Sequence, residues 1–151
     1  MKIFTTKDSN SSLKLLDQEK NVIGELLFSF INGLNDKIYF DDRMYRIKHS
    51  GFLWYDKSLI DLNENIILKI DTEKNRLFYF GKNTEFFTIR YKGWWNQKHI
   101  LYKDDELQLT INYKQKFFGT NNFTVRVENN FDNNLITMFL LYLFNFQISA
   151  P

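Results

Sequence analysis

The side chains best suited to recognition chemistry stand in one run: Arg90, Tyr91, Lys92, Gly93, Trp94, Trp95, Asn96, Gln97 and Lys98. Neighbouring side chains on a strand point to opposite faces, so two adjacent tryptophans cannot both enter a core. Two readings follow. In the structural one, Trp94 caps a core and Trp95 packs under a loop. In the functional one, an amphipathic Trp flanked by Lys92 and Lys98 touches an anionic lipid surface or a protein partner. Lys114 and Lys116 with Phe117 and Phe118 repeat the basic–aromatic theme, and extend the same patch if both loops share one end of the fold. Arg90, Lys92, Trp94, Trp95, Lys98, Lys114 and Lys116 are therefore the candidate binding residues.

Other chemistry is thinly represented. His49 and His99 are the only histidines, far apart and without ligand-spaced neighbours, and read as surface or strand residues rather than metal ligands. Asp41–Asp42 and Asp104–Asp105 read as hairpin tips, where carboxylates accept turn N–H groups. The six glycines are scattered singly, so no phosphate-cradling loop is written here. With no Cys there are no disulfides or thiolate metal sites. No catalytic residue, metal or cofactor is expected. The 20 basic and 18 acidic residues leave a net charge of +2, which argues against a generic nucleic-acid footprint and allows only a local patch.

These residues need a scaffold, and its pattern is nearly all strand. Short alternating runs recur from Lys2–Thr6 and Leu13–Leu16 (strand or one helical turn) through Gly24–Ile31, Lys37–Phe40, Met44–Ile47, Phe52–Tyr55 and Ser58–Leu62. They continue with Ile66–Ile70, Arg76–Phe80, Phe86–Tyr91, Ile100–Tyr102, Leu107–Tyr113 and Phe123–Glu128. The intervening turns have the lengths that hairpins use.

The segment from Asn134 to Phe146 is different, being apolar at almost every position. It has neither the stripe of a surface helix nor the alternation of a half-buried strand. About a dozen apolar residues fall short of the roughly 20 that span a bilayer. Asp132, Asn133 and Asn134 stand where N-capping side chains belong. A closed barrel of about twelve strands has a lumen roughly 20–25 Å across, which wall side chains alone leave void and a helix about 10 Å wide fills. The expected fold is therefore mainly β: a closed antiparallel barrel of roughly 12 short strands around a C-terminal buried hydrophobic helix. It is read as one domain over residues 1–151, with 134–147 as the central helix. A β-sandwich ending in an irregular hydrophobic strand pair is the rival.

This order of elements, with Ile23-Gly24-Glu25-Leu26 and Tyr45-Arg46-Ile47 ahead of Gly51, resembles the tubby C-terminal-like superfamily. That superfamily includes tubby proteins, phospholipid scramblases and plant LURP-one-related proteins. The nearest match in kind is a small bacterial-type member. The resemblance implies a barrel threaded by its last helix, and binding at membranes rather than catalysis. Tubby-like domains bind phosphoinositide head groups, but no such motif can be placed on these residues, and scramblase activity lacks its Cys-rich segment here. The expectation is a non-enzymatic binding or structural domain, cytoplasmic and monomeric, contacting an anionic membrane surface or a protein partner. The alternative is a lipocalin-like carrier of an apolar, fatty-acid-like molecule, which requires an empty lumen.

Overall fold

Period-2 burial runs through the chain and sets its architecture. Phe4, Leu13, Leu15, Leu26, Ile38, Tyr45, Ile47, Leu59, Leu68, Ile70, Leu77, Phe87 and Ile89 are buried, and their chain neighbours mostly face out. Leu101, Leu109, Ile111, Phe123, Val125 and Val127 continue the same alternation. A sheet whose every strand has one apolar face must cover that face. In the computed structural model, which describes residues 1–29, 35–51, 56–93, 97–115 and 121–149, it does so by closing on itself.

Twelve strands form the wall. They are Lys2–Asp8 (β1), Ser12–Leu16 (β2), Val22–Leu27 (β3), Lys37–Phe40 (β4), Arg43–Ser50 (β5) and Asp56–Ile60 (β6). Ile66–Asp71 (β7), Arg76–Phe80 (β8), Thr84–Lys92 (β9), Lys98–Lys103 (β10), Glu106–Gln115 (β11) and Asn121–Val127 (β12) complete it. Each pairs antiparallel with its sequence neighbours, and β1 closes the barrel on β12 with Phe4 opposite Val125. Closure leaves no edge strand.

The closed barrel expected from the sequence is therefore formed, and the rival β-sandwich is not. Leu13–Leu16 is strand, as part of β2. Leu62, expected at the end of a strand, lies in the β6–β7 turn and is 83% exposed. The expected strand from Gly24 to Ile31 ends at Leu27, and Phe52–Tyr55 lies outside the described residues.

The turns at one end of the barrel are built from carboxylates. Asp41 and Asp42 (φ 53° and 58°) and Asp104 and Asp105 (φ 50° and 64°) are two-residue left-handed turns that match the twist of their strands. Asp17 Oδ1 accepts the N–H groups of Glu19 and Asn21, and Asp61 Oδ1 those of Asn63 and Asn65, all at 2.9 Å. The Asn65 backbone N–H, with the Asn65 side chain and Asn63 N–H, holds the Asp61 carboxyl below its usual range against a smaller upward push from desolvation.

The chain leaves β12 at that same end and enters α1, Asn134–Ser149. Asn133 caps the helix, its Oδ1 accepting from Ile136 N–H at 3.2 Å. Leu135 to Tyr142 are buried without a break, two full turns with no face left to water. Only a position inside the wall can do this. Along its length the helix meets widely separated strands. A Cβ on Gly24 of β3 would lie 2.9 Å from Met138 Sδ, His99 of β10 stacks on Phe144, and Lys57 of β6 sits over Phe146. Among the described residues no helix is long and apolar enough to cross a membrane.

One polar bond fixes the helix in depth. Tyr142 Oη donates to Asp36 Oδ2 at 2.7 Å, both side chains buried, while Asp36 Oδ1 accepts Ser29 N–H at 2.9 Å. Burial first, and then the carboxylate, pushes the Tyr142 hydroxyl pKa well above its ordinary range. Tyr142→Phe leaves Asp36 short of a buried donor and is expected to lower the unfolding free energy by about 1–3 kcal/mol. Urea unfolding followed by circular dichroism reads that loss.

Candidate functional site: a basic outer wall

With Phe87 and Ile89 turned inward on β9, Arg90 and Lys92 mark the outward register. The same parity sends Lys98 outward from β10, Asn112 and Lys114 from β11, and Thr124 and Arg126 from β12. On β1 and β2, Lys7 and Lys14 point out as well. Cross-strand registers make these residues neighbours. Lys98 stands opposite Lys92 on one side and Asn112 on the other; Asn112 stands opposite Thr124, Lys114 opposite Asn122, and Arg126 opposite Thr110. Lys7 is opposite Lys14. Seven cations thus cover six adjacent strands.

Among the described residues, only Lys14 of the seven has a carboxylate directly opposite it, Glu25 on β3. Two of the pairings, Lys92–Lys98 and Lys7–Lys14, set like charges directly across the ladder, where they destabilise a sheet. Elsewhere two cations are matched: Lys103 bonds Glu85 at 2.5 Å and Arg46 bonds Glu64 at 3.3 Å. The carboxylate-built turns, Asp17, Asp41, Asp42, Asp61, Asp104 and Asp105, lie at the opposite end of the barrel. The net charge of +2 conceals this separation. Arg90 is held across the outer surface by Tyr102, its guanidinium carbon 4.8 Å from the ring centroid.

Of the candidate residues, the structure brings Arg90, Lys92, Lys98 and Lys114 onto one surface. Trp94, Trp95 and Lys116 lie outside the described residues. The β9–β10 and β11–β12 connections do share an end of the barrel, since β9 and β11 finish where β10 and β12 begin. Sequence reading missed Arg126, Lys7 and Lys14, because only strand pairing brings them to the others. The available signal was parity: each is one residue from an inward apolar position, as in Thr124-Val125-Arg126-Val127.

Inside the barrel mouth beneath this wall, polar side chains surround the last turns of α1. Lys57 Nζ lies 4.1 Å from the Phe146 centroid, and burial lowers its pKa despite the opposing pull of Asp56. His49 tilts against the other side of this cluster, 5.8 Å from Phe146. His99 is 4% exposed, not a surface residue. It stacks on Phe144 at 3.6 Å with the Tyr91 ring edge-on at 4.4 Å. Among the described residues its Nδ1 has no hydrogen-bond partner, while the Gln147 side chain bonds the ring. The arrangement is one of ring packing. Among the described residues no three His, Asp or Glu side chains converge as metal ligands.

The comparisons with known proteins add little to this geometry. No family model and no curated protein matches the chain. One solved structure, an X-ray structure of a protein from Arabidopsis thaliana, is similar over 95% of this chain and 90% of that one, at 14% identity and a TM-score of 0.41.

Burial of the neutral imidazole lowers the His99 pKa from 6.5 to about 3, a little offset by Gln147. Between these values the unfolded chain binds a proton that the folded one refuses. The His99 contribution to stability is therefore full above pH 6.5 and is lost as pH falls toward 3. The expected slope is about 1.4 kcal/mol per pH unit in that window. Unfolding titrations of wild type and His99→Leu check this: the difference between their pH profiles should carry the slope.

Proposed function

We propose that this chain is a non-enzymatic, tubby C-terminal-like barrel that docks on an anionic membrane surface through its basic outer wall. The observation that carries this reading is the row of seven cations on six adjacent strands, of which only Lys14 faces a carboxylate across the ladder, with two like-charge cross-strand pairs among them. A sheet that keeps the Lys92–Lys98 repulsion with no carboxylate directly opposite either residue is suited to an external polyanion. Anionic lipid supplies one, at about 1 kcal/mol per basic residue near the surface. The resemblance in element order, with a twelve-stranded wall around a terminal helix, supports the tubby-like assignment. In this reading the domain works as a monomer at a cytoplasmic leaflet. Trp94, Trp95 and Lys116 on the neighbouring connections extend the contact without being needed to argue it. The carrier alternative loses its premise, because α1 fills the lumen that an apolar ligand would occupy.

Co-sedimentation with vesicles tests the reading. The protein is expected to pellet with vesicles of about 30% phosphatidylserine and not with phosphatidylcholine alone, and to be released as salt rises from about 0.1 to 0.5 M. Replacing Lys92, Lys98 and Lys114 together by Glu should weaken binding by about a hundredfold or more. Lys82→Glu, in the β8–β9 turn at the far end, should leave it unchanged. Equal pelleting of the triple variant and wild type would reject the wall as the docking face.

A further inference from the structure

A strand with one covered face alternates apolar and polar residues, yet β8 reads Arg76-Leu77-Phe78-Tyr79-Phe80 and is apolar in both registers. Leu77 is buried and Tyr79 packs against the core, as the enclosed helix requires. Phe78 and Phe80 occupy the outward register, and Phe86 of β9 stands directly opposite Phe78. Among the described strands only these two turn phenylalanine rings outward. The rings form one cluster: Phe78 lies nearly parallel to Phe80, centroids 6.4 Å apart, and edge-on to Phe86 at 5.2 Å. Phe80 is 39% and Phe86 58% exposed. They line a surface groove of about 520 Å³ whose charged lining is Lys69 against Asp56 and Asp71. A sheet that is apolar on both faces calls for a covering layer on both, and α1 covers only the inner one.

We infer that a basic amphipathic helix of a partner protein docks on this groove, its apolar face on Phe78, Phe80 and Phe86 and its cations on the carboxylate-built turns to either side. Barrel closure sets the form of the occupant. No strand has a free backbone edge, so nothing can add to the sheet as a strand, and an apolar sheet face is otherwise covered by a helix. Charge sets its sign. Phe80 ends β8 at the β8–β9 turn; the β6–β7 turn on one side holds Asp61 and Glu64, and the β10–β11 turn on the other holds Asp104 and Asp105. Against these four carboxylates the three turns carry one cation, Lys82, while Arg46 of β5 bonds Glu64. The flanking turns stand four strand spacings apart, about 19 Å along the wall. A helix about 10 Å wide fits between them and leaves room for lysine or arginine side chains to reach both. A second copy seated face to face would set these carboxylates against themselves, and nucleic acid or an anionic membrane meets the same repulsion.

The test is fluorescence anisotropy, without lipid, of a labelled model helix of about 18 leucine and lysine residues with its leucines along one face. Wild type is expected to bind it about ten-fold more tightly than a peptide of the same composition with the leucines spread round the helix. The same pattern with glutamate in place of lysine should bind at least as poorly. Phe80→Ser with Phe86→Ser should weaken binding about ten-fold or more. Asp104→Asn with Asp105→Asn removes two charges, suits the left-handed turn, and should weaken it about three-fold. Amide NMR shifts of wild type on adding the peptide should centre on Phe78, Phe80 and Phe86, which decides the matter if the serine variant melts early. Equal binding of the glutamate peptide, an affinity unchanged in the phenylalanine variant, or shifts centred elsewhere would overturn the inference. A dimer in sedimentation that the phenylalanine variant abolishes would also overturn it, assigning the face to a second copy. The vesicle experiments use Lys92, Lys98 and Lys114, none of which is altered here, so failure of this inference leaves the membrane reading standing.

Discussion

A helix with no polar face must be surrounded, and this requirement organises the whole molecule. Leu135 to Tyr142 are buried at every position, so α1 needs apolar side chains on all sides along two turns. A single sheet or a sandwich offers one covering face; a closed wall offers every direction at once. The wall is correspondingly sized. Its inward positions are Leu, Ile, Val and Phe at alternate residues, and where the helix comes closest the wall supplies Gly24, whose missing Cβ makes room for Met138. The buried Tyr142–Asp36 bond, linking positions 106 residues apart in the chain, then fixes how far the helix sits along the lumen.

Filling the lumen moves function outward. A hollow barrel can place specificity among its inward side chains, but here those positions serve packing, and the polar groups at the mouth are held by rings: His99 on Phe144, Lys57 on Phe146. The outward registers are released from packing and free to carry charge. They carry it unevenly. Carboxylates gather in the turns at the end where α1 enters, where they satisfy backbone N–H groups, while cations gather on the β9–β12–β1–β2 wall. The turn carboxylates are thus required by the fold at one end, whereas no fold requirement accounts for the cations on the wall.

Much of the fold was legible in the sequence, and the reasons are local. The aspartate pairs announced tight hairpins because few residues tolerate the left-handed backbone such turns need. The terminal segment announced enclosure because it lacked a polar face. Strand limits were less legible: Leu62 is as apolar as its neighbours, yet it lies in the Asp61–Asn65 turn, which local hydrogen bonds to Asp61 define. The candidate site was legible only where the chain is contiguous. Arg90, Lys92 and Lys98 lie in one stretch, but Lys7, Lys14 and Arg126 join them through barrel closure, a long-range pairing of β1 with β12 that no window of sequence contains. His99 read as an ordinary strand histidine; its burial depends on Phe144, forty-five residues on in the chain.

The central claim is that one wall of this barrel faces a membrane and the carboxylate-built end faces away. The chain contains no cysteine, so a single fluorescent label can be placed at will. Labels at Asn122→Cys, beside Lys114 on the wall, and at Asp104→Cys, in a turn of the opposite end, can be compared on phosphatidylserine vesicles by collisional quenching from the aqueous phase. The account predicts that vesicle binding shields the label at position 122 and leaves the label at position 104 as accessible as in free protein. Equal shielding of both, or shielding at position 104 alone, would contradict it.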